Sequence, residues 1–381
     1  MDFSLSEDQK MLKAMVREFA EKEVEPVAAK IDEEGIFPSA AIKKAAEIGL
    51  MGTGYPEASG GSGGGAVEQV IVFEELARAC ASTSGVVIVT NELGAYPIYT
   101  FGTEEQKKKY LIPLLKGEKM GAFGLTEAGA GSDVAAIAMT ATKKASGYVL
   151  NGNKIFISNG AEAEITIIFA TLDKSQGYRG ITAFIVEKGM TGYSVGKHER
   201  KMGIRGSSTT ELIFDNCFVP AGNRLGPEGK GFSIALETID GSRIGIAAQA
   251  IGIAQAAFDK ALAYSKERQQ FGQAIVNYQA IQWMLADMAT QIDAARLLTY
   301  RAAYLKDNHQ PFIKEASMAK VYAAEMANFV TTKALQIYGG YGYIKDFPLE
   351  RYFRDARITE IYEGTSEMQR MTIARQLIRG E

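Results

Sequence analysis

The spacing of apolar residues divides this chain into three stretches, and that division constrains the fold more than any other feature. Over residues 1–120 the apolar positions recur at helical intervals, as in Met11, Leu12, Met15, Val16 and Phe19. Ser6, with Gln9 three residues on, predicts a capped helix start. Further helices are predicted over 40–48, 66–81 and 104–115, and the run Gly60-Gly61-Ser62-Gly63-Gly64-Gly65 reads as a loop. From 121 to 230 the pattern changes to short β-branched and aromatic runs at 147–150, 165–170, 181–186 and 211–214. Asn151-Gly152 predicts a hairpin turn. From 231 to 381 long helical patterns return over 244–266, 280–307 and Ile313–Tyr338; three or four long helices in sequence suggest a bundle, of the four-helix kind. The fold class is therefore α+β: a helical domain (1–120), a β barrel or sandwich (121–230) and a helical bundle (231–381).

Composition excludes several chemistries. Two histidines (His198, His309) and two cysteines (Cys80, Cys217) cannot furnish a conventional zinc site, so no metal is expected. Neither histidine sits in a hydrolase motif. Two distant cysteines are no disulfide framework and fit a reducing compartment. A formal net charge of −3 argues against nucleic-acid binding. The longest apolar run, Gly85-Val86-Val87-Ile88-Val89-Thr90, falls far short of the ~20 residues that span a bilayer, so no membrane insertion is expected. The start, Met1-Asp2-Phe3-Ser4-Leu5-Ser6-Glu7, has neither a signal peptide's pattern nor a transit segment's. The expectation is a soluble protein, cytoplasmic or a mature organellar form.

Several segments could carry chemistry. Gly61-x-Gly63-x-x-Ala66 loosely fits a dinucleotide fingerprint but follows no strand, and reads as a turn. Phe123-Gly124-Leu125-Thr126-Glu127-Ala128-Gly129-Ala130-Gly131-Ser132-Asp133 lies where helix gives way to strand. Its small residues would let a ligand reach the backbone, or would simply link two domains. Arg268-Gln269-Gln270-Phe271-Gly272 ends a long helix; its arginine suits a phosphate, and its glycine suits a plain cap. Gln336-Ile337-Tyr338-Gly339-Gly340-Tyr341-Gly342 is a helix stop or a close backbone approach to a ligand. Glu363, between Tyr362 and Gly364, is either a solvated acid or, in an apolar pocket, a general base.

Taken together, in this order and at these separations, the segments resemble the acyl-CoA dehydrogenase family of flavoproteins. The resemblance runs from Phe3-Ser4-Leu5-Ser6-Glu7-Asp8-Gln9 to Met368-Gln369-Arg370. It is carried by Leu125-Thr126-Glu127-x-Gly129-Ala130-Gly131-Ser132-Asp133, Arg268-x-Gln270-Phe271-Gly272 and Ile361-Tyr362-Glu363-Gly364-Thr365. Asp240-Gly241-Ser242-Arg243-Ile244-Gly245-Ile246-Ala247 is most similar to short-chain, butyryl-CoA-type members.

The resemblance implies FAD, held between the β domain and the C-terminal bundle. Phe123, Leu125, Thr126, Phe156, Ile157 and Ser158 match positions around the isoalloxazine. Gly131 and Ser132 match a segment that also meets the CoA chain. Arg268, Gln270, Phe271, Gln336, Gly339 and Gly340 match contacts made to FAD across a subunit boundary, and Thr365 and Glu367 match near-side contacts. A shared cofactor implies an oligomer, a homotetramer in this family. Val89, Leu93, Asp240, Arg243, Tyr362 and Gly364 match the acyl-CoA side, with Arg243 expected near pantetheine and nucleotide. Glu363 matches the catalytic base that takes the α-proton while the β-hydrogen leaves as hydride to flavin. The resemblance further implies that the enolate oxygen would be stabilised by the backbone N–H of Glu363 and an FAD ribityl hydroxyl.

The implied activity is α,β-dehydrogenation of a short-chain acyl-CoA, with electrons passed to electron-transfer flavoprotein. The same site run in reverse would reduce an enoyl-CoA. Relatives with the base on another helix carry it at the position of Ser242, which cannot serve. Glutamate at 363 and the chain length favour a dehydrogenase over an oxidase, and an intact base argues against a mere binding protein. No arginine occurs over residues 83–89, which disfavours a dicarboxyl substrate. One departure is Glu92, where short-chain members carry serine. It is expected to turn away from the acyl pocket or pair elsewhere. Turned inward, it would add a second carboxylate beside a polar, cyclic or unsaturated acyl group.

Overall fold

The computed structural model describes residues 4–380. Helix α1 (Glu7–Phe19) starts with the predicted box: the Ser6 hydroxyl accepts from the Gln9 backbone N–H, and the Gln9 side chain accepts from the Ser6 N–H. Phe3, where the family resemblance begins, lies outside the described residues. Helices α2 (Glu25–Glu34), α3 (Ser39–Glu47), α4 (Ala66–Ala79) and α5 (Ala81–Ile88) follow. The helix predicted over 66–81 is thus two, broken at Cys80, whose backbone is extended. α5 runs into a π-helical segment, Val89–Ala95, and on into α6 (Tyr96–Phe101). Widened turns of this kind recur at functional sites, and hydrophobic periodicity does not announce them. The last helical stretch is α7 (Glu104–Gln106), a π turn and α8 (Ile112–Leu115).

An eight-stranded sheet occupies the middle. Its strands are β1 (Gly121–Gly124), β2 (Thr140–Lys144), β3 (Gly147–Ser158), β4 (Ile165–Thr171), β5 (Ile181–Glu187), β6 (Tyr193–His198), β7 (Thr209–Pro220) and β8 (Arg224–Leu225). The order is β6-β7-β3-β2-β4-β5-β8, with β1 parallel to β4. Asn151-Gly152 is not the predicted hairpin turn. The β2–β3 hairpin turns at Ala145-Ser146, and Gly152 (φ 137°) instead sits at a register shift inside β3. The glycine's freedom is spent on a bulge, which a short sequence signal does not distinguish from a turn.

The C-terminal part comprises α9 (Gly231–Glu267), the small β9 (Gln269–Gln270) and β10 (Gln273–Ala274) pair, α10 (Gln279–Asp307), α11 (Ile313–Tyr338), α12 (Leu349–Arg357) and α13 (Ser366–Arg379). α9 is 37 residues long and begins well before the predicted start at Ile244. Its glycines lower helix propensity, and tertiary contact overrides them. Helices α9, α10 and α11 pack together, and α13 packs on α11.

Helix α4 also packs against α9 and α10, so the first and last segments bury one common core, while the sheet buries a second. The close approach rests on Gly252, whose missing Cβ leaves room for the Glu74 carbonyl oxygen of α4. Gly252→Ala is therefore expected to lower unfolding free energy by about 1–3 kcal/mol, read by urea denaturation. Helix propensity alone would give the opposite sign, by about 1 kcal/mol.

Candidate active site

Glu363 stands at the end of a short link between α12 and α13, just before the α13 cap at Thr365. Its φ is +52°, and Gly364 follows at +92°. A left-handed glutamate is costly and persists only where its surroundings hold it. Two helices supply the hold. Lys320 of α11, fully buried, donates its Nζ to the Gly364 carbonyl at 2.7 Å. Gln369 of α13 donates to the same carbonyl at 2.9 Å and to that of Glu363 at 3.2 Å. Tyr362 is fixed by a hydrogen bond from its hydroxyl to Gln249 of α9.

The Glu363 carboxyl accepts a hydrogen bond from Ser242 Oγ of α9. Burial pushes its pKa up to about 7, against the Ser242 hydrogen bond and the nearby charges of Lys320 and Arg243, which favour the carboxylate. Burial also pushes the Lys320 ammonium down to about 8. The result is a carboxyl poised near neutrality beside two cations, suited to taking a proton from a weakly acidic carbon.

Arg243 is 7% exposed, bonded to Asp240 at 2.6 Å and to Ser317 of α11 at 3.1 Å. It is thus buried near Glu363 rather than reaching out to a nucleotide as the sequence implied. The reason is that α9 extends through 240–246 as a helix whose inner face is closed by α11. Val89 and Leu93, each 8% exposed, lie on the π-helical segment. Glu92, between them in sequence, is buried and meets the second of its two expected outcomes, pairing elsewhere, with Lys306 of α10. It is 4% exposed, with only an ion pair to Lys306 at 3.9 Å, and its Oε2 has no hydrogen-bond partner. Burial raises its carboxyl pKa to about 8, against the Lys306 charge and with a smaller contribution from Glu363.

On the sheet, Phe123 of β1 packs on Phe169 with ring centroids 4.9 Å apart. The Leu125 carbonyl accepts from Lys154 Nζ at 3.0 Å, and that same ammonium, fully buried, pairs with Glu127 at 2.7 Å. The Thr126 carbonyl accepts from the Ile155 N–H at 2.9 Å. Phe156 (φ +58°) lies in a second register shift of β3, and the residue is 61% exposed. Ile157 turns its side chain into the sheet core, its carbonyl accepting from the Gly160 N–H at 3.2 Å, and Ser158 follows half-buried. Gly131 and Ser132 are exposed, and a Cβ at Gly131 would meet nothing within 4 Å.

The remaining predicted residues gather elsewhere. A cavity of about 540 Å³ lies between the ends of α9 and α11, lined by Arg268, Gln270, Tyr338, Gly339, Gly340 and Tyr341 among others. The Arg268 guanidinium sits 5.7 Å from the Tyr341 ring centroid. Phe271, 95% exposed at φ +50°, and Gln336, also exposed, do not line it. Thr365 caps α13, and Glu367 lies in that helix's first turn.

Sequence reading missed Lys320, Gln369, Gln249 and Lys154. A signal existed for Lys320: it stands at a buried position among Ala316, Ala319, Ala323 and Ala324, where a charge breaks the apolar stripe. Among the described residues, no group of three or more His, Cys, Asp or Glu could hold a metal ion, and no helix is long and apolar enough to cross a membrane.

Comparison with known proteins gives the same direction throughout. Residues 6–118, 122–217 and 229–378 match the acyl-CoA dehydrogenase N-terminal, middle and C-terminal domains. The chain is 52% identical to a short-chain specific acyl-CoA dehydrogenase of Clostridium acetobutylicum, with 100% of both chains covered. It is 54% identical to an acryloyl-CoA reductase (NADH) of Anaerotignum propionicum, over 100% of this chain and 96% of that one. Its fold matches a chain from the structure of the electron transferring flavoprotein of Acidaminococcus fermentans with a TM-score of 0.98, at 52% identity and full coverage of both. With its three consecutive domains matched and relatives alike from end to end, the chain belongs to the acyl-CoA dehydrogenase family.

Proposed function

We propose that this protein is an FAD-dependent dehydrogenase that removes the α-proton and β-hydrogen of a short-chain acyl-CoA, with Glu363 as the base. The observation that carries the reading is the raised Glu363 carboxyl on a strained, doubly tethered turn, bonded to Ser242 and flanked by two cations. A carboxylate in water is too weak a base for a thioester α-carbon. Burial by the substrate raises its basicity further. Ser242 and Lys320 keep enough of the ionised form available, and the Glu363 backbone N–H is assigned to the developing enolate oxygen.

The residues fit FAD. Exposed Phe156 offers a ring face, the Leu125 and Thr126 backbone is pinned by Lys154 and Ile155, and Gly131 leaves open space for backbone approach. Arg268 and Gln270 beside Gly339 and Gly340 suit a diphosphate. When bound, FAD supplies the hydride acceptor. The Arg268 cavity includes none of the sheet residues, which supports its serving a second subunit's cofactor in a homotetramer, with Phe271 and Gln336 completing it. Val89, Leu93, Tyr362 and Gly364 would border the acyl group, and Ser132 the CoA chain. Buried Arg243, held by the half-buried Asp240, would act on Glu363 rather than on the nucleotide. The domains would divide at 1–120, 121–230 and 231–381.

An electron-transferring flavoprotein is the proposed redox partner, supported by the Acidaminococcus likeness. The likeness to acryloyl-CoA reductase supports the reverse direction, enoyl-CoA reduction, as a second reading.

Anaerobic titration of the purified yellow protein with acyl-CoAs is expected to bleach the flavin, most readily with short chains. Glu363→Gln should slow that reduction about 10³-fold while keeping FAD bound. Undiminished bleaching by the variant would refute the base. The rate should also follow Glu363 ionisation. Because the folded pKa is raised and the active form is the carboxylate, kcat/KM should be low at acid pH and rise as pH passes about 7. Ser242→Ala removes a hydrogen bond that favours the carboxylate, so stopped-flow flavin reduction should show the inflection displaced to higher pH. An unmoved inflection would disconnect Ser242 from the base.

A further inference from the structure

Glu92 is a buried carboxyl that proton removal by Glu363 leaves without a task. Its Oε2 is aimed at α9, where a Cβ on residue 245 would overlap it, so the carboxyl fits only because that residue is glycine. Ser242, which holds Glu363, lies one turn earlier on the same flank of α9, a rise of about 4.5 Å. The two carboxyls therefore face one strip of α9. The first is where the α-proton must be taken. The second lies about one turn further along, on the segment that also bears Val89 and Leu93.

An unpartnered buried carboxyl is costly, and a saturated hydrocarbon tail beside it would leave the cost in place. A tail bearing oxygen would remove it. Lys306 does not satisfy the group: it stands 3.9 Å from Oε1, and Oε2 has no partner. We propose that Glu92 is a specificity-determining residue of the acyl site, and that the preferred substrate is a short acyl-CoA with a hydroxyl or carbonyl oxygen on its γ or δ carbon, hydrogen-bonded by the Glu92 carboxyl. The inference rests on the dehydrogenase reading and names the substrate class of that same site. Burial raises the Glu92 carboxyl pKa to about 8 against the opposing Lys306 charge, and in the protonated form one oxygen donates and the other accepts, which serves either kind of tail.

The test compares kcat/KM of the FAD-loaded protein for γ-hydroxybutyryl-, γ-oxovaleryl- and δ-hydroxyvaleryl-CoA with that for the plain thioester of the same length, using a dye acceptor. The wild type is expected to favour at least one oxygenated member by about tenfold, the ratio one good hydrogen bond yields. Glu92→Ala should bring the ratio to about one, and Glu92→Gln, which keeps a donor and an acceptor, should retain it. Flavin content and thermal melting establish that each variant is folded; if the alanine variant is not, the wild-type ratio decides alone. Equal or poorer use of every oxygenated thioester by the wild type overturns the assignment, as does a preference that survives in Glu92→Ala. Turnover of plain butyryl-CoA with no oxygen preference sinks only the Glu92 proposal. Failure of every thioester to bleach the flavin sinks the dehydrogenase reading with it.

Discussion

The site depends on how closely other elements can approach one long helix. α9 carries four glycines at which a neighbour comes close. Gly231 abuts the Thr182 backbone of β5, Gly241 the Lys306 ammonium of α10, Gly245 the Glu92 carboxyl, and Gly252 the backbone of α4. A methyl group at Gly231 or Gly252 would push a neighbouring backbone away, since a packed interior has little slack to absorb it. The same helix bears Ser242, Arg243 and Gln249, which fix Glu363 and Tyr362. Support of the fold and placement of the base are thus one arrangement.

Three carboxyls, Glu127 and Glu92 buried and Glu363 partly so, illustrate how surroundings separate structure from chemistry. Glu127 is fully occupied: it accepts from the Ala138 and Met139 N–H groups and pairs with buried Lys154. Such a group holds a loop in place and has nothing left to give a substrate. Glu363 has one hydroxyl partner and cations nearby, which leaves it near neutrality. Glu92 has still less. The three run from satisfied to unsatisfied, and the less a carboxyl is satisfied by its own chain, the more it has to offer a substrate.

Strain follows the same map. Among the described residues, seven other than glycine adopt positive φ, and Phe156, Phe271 and Glu363 are three of them. Each lies in a segment singled out from sequence. Their conformations cost energy that the surrounding sheet and helices must offset, and in each case the side chain is set at an angle a relaxed backbone would not give.

Much of this was legible in the chain itself. Apolar spacing determined the order of helix, strand and helix, because burial of one face enforces that period wherever the element lies. Motifs around Thr126, Arg268, Gly339 and Glu363 determined the family, since their chemistry is local. Tertiary structure alone decided the rest. Whether Gly152 makes a turn or a bulge depends on the partner strand. Whether Gly241 and Gly245 break a helix depends on what packs against them. Arg243 was drawn inward by α11, and Glu92 by the room above Gly245. In each case the outcome was set by residues far away in sequence, and the free energy of a buried charge or an added methyl exists only once those residues have met.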